Sequence, residues 1–547
     1  MKLFLSSVLF VLSFSLAAQI APPVFTDFSV DFSSTYGVID GSKTYFEHDG
    51  YNYVLKMNDS GIHFQKFDLS DSPALIAENT VTDIYGLFTF EQLVGFGGRR
   101  YFFYSVWDKE NQTEQLFVRP IDLDNLVLVG EPKLLIAIDG KLEGRMMWGK
   151  RPGVVDKFSY IFSSASDKLL IYYTYKSESA ARKNTYLRIG LNLFDKDLNL
   201  VAENDVQMER NIKEQTIIGY EIDHEDNVYI LNRVWSDGAY NYFHKKSGDL
   251  LYYLEIMKVD MSSGAVTSFG IDPHDKALLD LGFSIEKDQK IHLAGRYRVN
   301  KGTAHADGVF YSTRDLDGNV IFEKFHEIPL EIINMHRSKK DAKKYEKEYA
   351  KGRTENVYFP YLDIDYITFY DDGGVYMHGE TSYSKTVTRS NGSQFTTYYY
   401  ENILVCRLDA DGEVAWMQTL GKSQMRDPSK QFSTSYRHLK INDYHYYIFL
   451  DNYRNVSVPI NVVPAYYVEN AENKGQLAAY RVDPANGNVE KLNILDMQDA
   501  PIKGFGQGRS VKQFRPSRVR KAPGNAFAVE FYAGDKEDVM MKVSISE

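Results

Sequence analysis

Short apolar runs rich in Val, Ile, Tyr and Phe recur along the whole chain, each ended by a few Asp, Asn or Gly residues. Tyr366–Tyr370, the acidic-Gly stretch Asp371-Asp372-Gly373 and Val375–His378 form one such unit; Ile222, Asp223–Asp226 and Val228–Leu231 form another. Runs this short, built from β-branched and aromatic residues, predict strands. Asp, Asn and Gly tolerate the positive φ of tight hairpins, so the polar interruptions predict turns between neighbouring antiparallel strands.

The turns fall into two series. One comprises Asn58–Gly61, Asp122–Asn125, Asp195–Asn199, Asp260–Gly264, Asp315–Asn319, Asp409–Gly412 and Asp483–Asn488. It returns at intervals of roughly 70 residues, a regularity that marks a propeller or solenoid. The other comprises Gly97-Gly98, Ser166-Asp167, Asp223–Asp226, Lys287–Gln289, Asp371–Gly373, Asn442-Asp443 and Pro523–Asn525. Two hairpins per repeat make a four-stranded blade with strands A to D, the second series supplying the A–B turn and the first the C–D turn. The Asn58 turn lacks an A–B partner and the Pro523 turn lacks a C–D partner, so pairing of the N- and C-terminal strands is expected to close the ring. The predicted fold is all-β, a single propeller over residues 19–547 with seven blades. Eight is the alternative count, because Asp538–Val543 reads as an additional strand.

Aromatic residues make up 14% of the 547-residue chain, including 40 Tyr and 33 Phe, which favours sheet throughout. Residues 335–352 break the pattern: they are Lys-rich, lack β-branched residues and end at Gly352, which predicts an inserted charged helix. Residues 1–18 read as a secretory signal peptide, with Lys2, an apolar run to Leu16 and small residues at Ala17-Ala18. The run is shorter than the ~20 residues a spanning helix needs, and no second stretch of that kind follows. Cys406, the one cysteine, lies in an apolar strand and is expected to be a buried thiol. An exported chain without disulfides predicts a periplasmic or outer-membrane-associated location of the Gram-negative type.

The stretch from Asp363 to Gly421 carries a resemblance. Its acidic-Gly turn, Gly374–Thr381, Leu408–Trp416 and Leu420-Gly421 resemble the bacterial SBBP or delta-60 type of β-propeller repeat, with a less complete copy from Ser284 through His292–Gly295 to Ile321. The resemblance implies a propeller fold and export; it does not imply a catalytic activity.

The Asp-x-Asp-Gly turns look like the start of a calcium loop, but counting twelve from Asp409 or Asp315 reaches Leu420 or His326, neither a bidentate Glu. No metal-ligand spacing, nucleophile elbow or phosphate loop is found, so no cofactor, metal or catalytic residue is assigned. In a blade with tight A–B and C–D turns on one face, the B–C and D–A connections emerge on the other. That second face gathers basic loops although the formal net charge is −11. Candidate partner-binding residues there are Arg145, Met147, Trp148, Lys150 and Arg151, with Met146 beside them; Lys339, Lys340, Lys343 and Lys344 on the inserted helix; and Arg515, Arg518 and Arg520. Lys422–Lys430 is a further basic connection, and the run Tyr398–Tyr400 offers aromatic rings.

The signal peptide, the ring of blades, the basic loops and the absence of a catalytic motif together predict a non-enzymatic binding or scaffold subunit of an envelope or outer-membrane assembly, in one version a plug of an outer-membrane protein translocon. Its expected ligands are acidic protein surfaces, anionic glycans or lipid headgroups, and not nucleic acid. The competing reading is a carbohydrate-active hydrolase or glycan-binding propeller, which requires carboxylates from different blades to converge on the central funnel.

Overall fold

Middle strands such as Val228–Trp235 and Ile291–Arg298 are buried on both faces, and the chain meets that demand by stacking sheets face to face around a ring. The computed structural model of the protein describes residues 28–84, 87–147, 153–177, 185–236, 240–299, 305–427, 433–468, 475–497 and 514–546. Within them, eight sheets of four or more strands follow one another, antiparallel except where Gln424–Arg426 pairs with Tyr467–Val468. Residues 1–18, read from the sequence as a signal peptide, lie outside the described residues.

The first blade comprises Ser42–His48, Tyr51–Asn58, Gly61–Asp68 and Ala74–Val81. The sixth comprises Leu362–Phe369, Val375–Thr388, Gln394–Leu408 and Val414–Leu420, and therefore coincides with the repeat read in the sequence. In the eighth, Arg520–Ala522, Ala526–Gly534 and Glu537–Ile545 are completed by Phe28–Phe32 from the other end of the chain. Phe28 faces Ile545, Val30 faces Val543 and Phe32 faces Met541. The expected closure is thus present, with eight blades and not seven.

The miscount has a local cause. The Asn58–Gly61 turn joins the second and third strands of the first blade, so it is a B–C turn on the face opposite the one expected. The A–B turn of that blade is Asp49-Gly50, where both residues have positive φ, 46° and 77°, as a tight hairpin requires. Asp49-Gly50 makes the N-terminal hairpin the start of a blade of its own.

Six of the turns of the first series are C–D turns, and they share one device. The carboxylate of Asp122, Asp195, Asp260, Asp315, Asp409 or Asp483 accepts the backbone N–H two residues further on. The acidic residue replaces a backbone acceptor, which is why it recurs at a tight turn.

Eight apolar clusters hold the ring, each built from the facing sides of two adjacent blades. Cys406 lies in the cluster between the fifth and sixth blades, where burial pushes its thiol up to about 12. The cluster between the eighth and first blades is rich in small side chains, Ala522, Ala526 and Ala528. Charged groups fill the space beside it: Glu530 contacts Lys43 at 2.6 Å and Lys56 at 2.9 Å, and Tyr36 and Tyr45 donate to it.

The inserted segment folds as two helices in the D–A connection between the fifth and sixth blades, α1 (Leu330–Asn334) and α2 (Lys339–Ala350). The Ser338 hydroxyl caps α2 by accepting the Asp341 N–H. Ile332, Ile333 and Tyr345 are buried against the ring, so the helices are anchored along one side.

Candidate functional site

The first strands of adjacent blades touch one another: Ala277–Ile285 meets Leu362–Phe369, and Arg520–Ala522 meets both Tyr436–Ile441 and Ser42–His48. These strands surround the axis of the ring. Asp363, Asp365 and Tyr366 are exposed although they lie on this innermost layer, so the axis is open to solvent there.

Irregularities in the inner strands aim carboxylates. Gln92 pairs with Phe103 and Phe90 with Tyr104, which leaves Glu91 as the extra residue of a β-bulge. In the fifth blade the bulge holds Asp280, whose φ is +48°. In the sixth, Ile364 pairs with Gly379 and Tyr366 with His378, leaving Asp365 unpaired. A bulge turns one side chain out of the alternation of its strand, and here three inner strands turn out an acid. Gly379 makes the third bulge possible, since a Cβ there would lie 2.1 Å from the Asp363 carbonyl oxygen.

Asp280, Asp363 and Asp365 form an acidic arc on the fifth and sixth blades. Arg296 binds Asp280 through Nε and Asp363 at 3.2 Å through Nη2, tying the two blades together. Asp365 accepts a hydrogen bond of 3.0 Å from the Tyr436 hydroxyl, and His378 Nδ1 lies 2.7 Å from the same hydroxyl. A neutral His378 donating to Tyr436, which donates to Asp365, satisfies both contacts. Asp365 touches water along the axis yet is surrounded on most sides by protein. That burial, reinforced by the charge of Glu380, pushes its carboxyl up to about 7. Glu380 itself is buried, with Lys422 at 2.5 Å and the Ser435 hydroxyl donating at 2.8 Å.

Glu91 and Glu221 are likewise pushed up by burial, to about 7 and about 8. Glu91 accepts from the Ser105 hydroxyl at 2.6 Å and from the Lys157 N–H at 3.0 Å.

The next blades carry the opposite charge. Arg437 projects from the inner strand of the seventh blade, and Arg515, Arg518 and Arg520 come from the segment leading into the eighth. The Arg520 guanidinium sits 5.2 Å from the centroid of the Tyr45 ring, on the inner strand of the first blade. Between the two arcs, His378, His438 and His445 pack with Tyr366, Tyr376 and Tyr447. His438 Nε2 and His445 Nδ1 are 2.7 Å apart, and burial holds all three imidazoles below their ordinary range.

The residues read from the sequence are spread more widely. Arg145 and Met147 lie on a short hairpin, Arg145–Met147 with Gly153–Val155, in the D–A connection between the second and third blades. Arg145 pairs with Asp156 at 2.7 Å, and Met146 and Met147 are 49% and 48% exposed. Trp148, Lys150 and Arg151 lie outside the described residues. Lys339, Lys340, Lys343 and Lys344 are exposed on α2, and Arg515, Arg518 and Arg520 are half-buried at the axis. Tyr398–Tyr400 are in a strand, part of the long hairpin of the sixth blade, with Arg426 against the rings of Tyr398 and Tyr400.

Sequence reasoning missed Asp280, Asp363, Asp365, Glu380, Tyr436 and Arg437. They come from different blades with no shared spacing, and only the acids beside the turn-rich repeats hinted at them. Among the described residues, no group of three His, Cys, Asp or Glu is placed to hold a metal ion.

No family model matches the chain, and no curated protein matches it. Solved structures do. The β-propeller domain of the Trilobed protease from Pyrococcus furiosus is 11% identical, with a TM-score of 0.32 over 85% of this chain and 97% of that one. Acylaminoacyl peptidase of Pyrococcus horikoshii is 10% identical, with a TM-score of 0.32 over 91% of this chain and 57% of that one. A structure from an analysis of two prolyl endopeptidases is 10% identical, with a TM-score of 0.36 over 94% of this chain. The chain spans 57% and 54% of the lengths of the two peptidases.

Proposed function

We propose that the protein is a non-catalytic, exported binding propeller that serves as a protein-binding or scaffold subunit of a periplasmic or outer-membrane assembly, docking through the face that carries its long connections. One observation carries this reading. The D–A connections holding Arg145–Met147, α1 and α2, and Arg515–Arg518 all leave the same face, whereas the A–B and most C–D links are tight turns. Irregular connections on a rigid scaffold are where binding surfaces concentrate. The resemblance of the sixth blade to SBBP or delta-60 type repeats supports the export part of the proposal, and a plug of an outer-membrane translocon is its most specific form.

Cross-linking in cells followed by affinity purification from solubilised envelopes tests it. A discrete, stoichiometric partner lost on charge reversal at Lys339, Lys340, Lys343 and Lys344 is expected. Recovery of free monomer alone, with binding to glycans instead, overturns it.

A second reading, a carbohydrate-active hydrolase or glycan-binding propeller, is favoured by the acidic arc. Asp365, pushed up to about 7, can hold a proton near neutrality beside the carboxylates of Asp280 and Asp363, as a general acid must. Turnover of polysaccharide or chromogenic glycosides that Asp365→Asn abolishes would establish this reading in place of the first.

A further inference from the structure

Arg296, Arg314 and Arg119 stand opposite acids, whereas Arg437, Arg518 and Arg520, half-buried at the junction of the seventh, eighth and first blades, do not. Arg296 has Asp280 and Asp363, Arg314 has Glu323 at 2.9 Å and Arg119 has Asp83 at 2.8 Å. Among the described residues, no carboxylate makes an ion pair with Arg437, Arg518 or Arg520. The Arg437 Nε is buried and has no hydrogen-bond partner among the described residues. Arg515 adds a further positive charge beside Arg518.

Guanidinium groups gathered without an acid are costly, because each loses water and repels the next. Burial lowers Arg437, and burial with the nearby charge of Arg437 lowers Arg520 to about 10. The groups are nevertheless held in place. Arg520 Nη1 donates to the carbonyls of Ser517 and Val519 at 2.6 and 2.7 Å, and its face lies over Tyr45. The Tyr45 hydroxyl in turn donates to Glu530 at 2.7 Å, which fixes the ring. Backbone carbonyls and an aromatic face orient a guanidinium without neutralising it. That arrangement suits a planar fork kept available for an oxygen-bearing anion.

We infer that Arg437, Arg518 and Arg520, with the Tyr45 ring as one wall, form an oxyanion site on the axis of the ring that takes a carboxylate, sulfate or phosphate group. The inference deepens the proposed binding function and rests on it in one respect, that the oxyanion is carried by the docked partner. A free inorganic anion has the same chemistry and would occupy the same forks. Arg518 and Arg520 belong to the basic stretch visible in the sequence; Arg437 and Tyr45 join them only through the ring.

The site can be tested on the full-length purified protein by calorimetry and thermal unfolding at constant ionic strength. Sodium sulfate, sodium phosphate and a glutamate-rich peptide would each be titrated in place of chloride. Saturable binding is expected for at least one of the three, with a Kd at least tenfold weaker in Arg437→Gln and Arg520→Gln and unchanged in Arg99→Gln, an exposed residue beside the Gly97-Gly98 turn on the opposite face. General salting-out by sulfate raises wild type and variants alike and does not saturate, so it is separable. Saturation by the inorganic anions alone identifies a free-anion site, and saturation by the peptide alone identifies a partner's carboxylate.

Should the Gln variants fail to fold, Arg437→Lys and Arg520→Lys keep the charge and lose the fork, and the same weakening is expected. Absence of saturable binding to all three probes, or equal binding by wild type and variants, overturns the inference. Partner capture fails independently. A captured partner with no anion binding leaves the docking proposal standing without this site, and anion binding with no partner does the reverse.

Discussion

Lys56 and Glu530 come from the first and last blades and meet at 2.9 Å, both side chains fully buried. Burial alone would push the Glu530 carboxyl up, but the charges of Lys56 and Lys43 outweigh it and hold it down at about 2. The pair belongs to the cluster that fills the seam left by Ala522, Ala526 and Ala528. Removing one member of a buried pair leaves its partner uncompensated. Glu530→Ala is therefore expected to lose about 3–5 kcal/mol in urea denaturation. The double variant Lys56→Met with Glu530→Leu should recover part of that loss, because neither charge is stranded. A Glu530→Ala protein within about 1 kcal/mol of wild type would show that Asp538 alone neutralises Lys56.

The sign of the pH effect at Glu530 follows from its lowered value. The unfolded carboxyl titrates near 4.3, so the stabilisation is complete above that pH and is lost as pH falls toward about 2. Comparing wild type with Glu530→Gln by denaturant unfolding at a series of pH values should show their difference shrinking on the acid side.

The histidines between the sixth and seventh blades should be silent. Burial first, and Arg437 second, lowers His438 to about 4; burial, then His438 and Lys440, lowers His445 to about 3. Imidazole resonances of both should stay those of the neutral ring between about pH 8 and 5, where an ordinary histidine titrates at about 6.5. Each takes stability away as pH falls below that value, since only the unfolded chain accepts the proton. A midpoint near the ordinary value for either ring would mean that the stack opens to water.

Asp365 acts in the opposite sense. Its carboxyl is raised, so its contribution to stability is full in acid, falls as pH rises through the unfolded value and levels off above about 7. Asp365→Asn should gain on wild type as pH increases over that range and keep a constant offset beyond it. A difference independent of pH would place Asp365 in ordinary solvent.

Gly379 is expected to tolerate no side chain. A Cβ would meet the Asp363 carbonyl oxygen at 2.1 Å and the Ile364 Cα at 2.7 Å, both of them backbone atoms that cannot swing aside. Gly379→Ala should cost about 1–3 kcal/mol and disturb the bulge that presents Asp365. Unfolding curves measure the first effect. Loss of the anomalous Asp365 titration, followed by carboxyl NMR, measures the second.

These relationships differ in how far they could be read from sequence. The Asp turns at Asp122, Asp195, Asp260, Asp315, Asp409 and Asp483 were legible because their chemistry is local: a carboxylate accepting a backbone N–H two residues away. The same local character misassigned Asn58–Gly61, since a tight turn reports its own geometry and not the face of the sheet it serves. Helix α2 was legible from its composition and its Gly352 terminus. Asp280, Asp365 and Arg437 were not, because an inner strand acquires its neighbours only when other blades arrive beside it, and a bulge leaves no composition of its own.

Sharing the last blade between Phe28–Phe32 and Glu537–Ile545 also dictates when the molecule can be finished. A chain delivered from its N-terminal side carries Phe28–Phe32 with no sheet to join until the final strand has emerged. Blades formed earlier can stack as they appear, but the seam and its Lys56–Glu530 contact must await the strands of the eighth blade. Truncation anywhere before Glu537 thus leaves an arc with two sticky flanks, and the arrival of Glu537–Ile545 becomes the quality check that separates a sealed ring from an aggregation-prone strip.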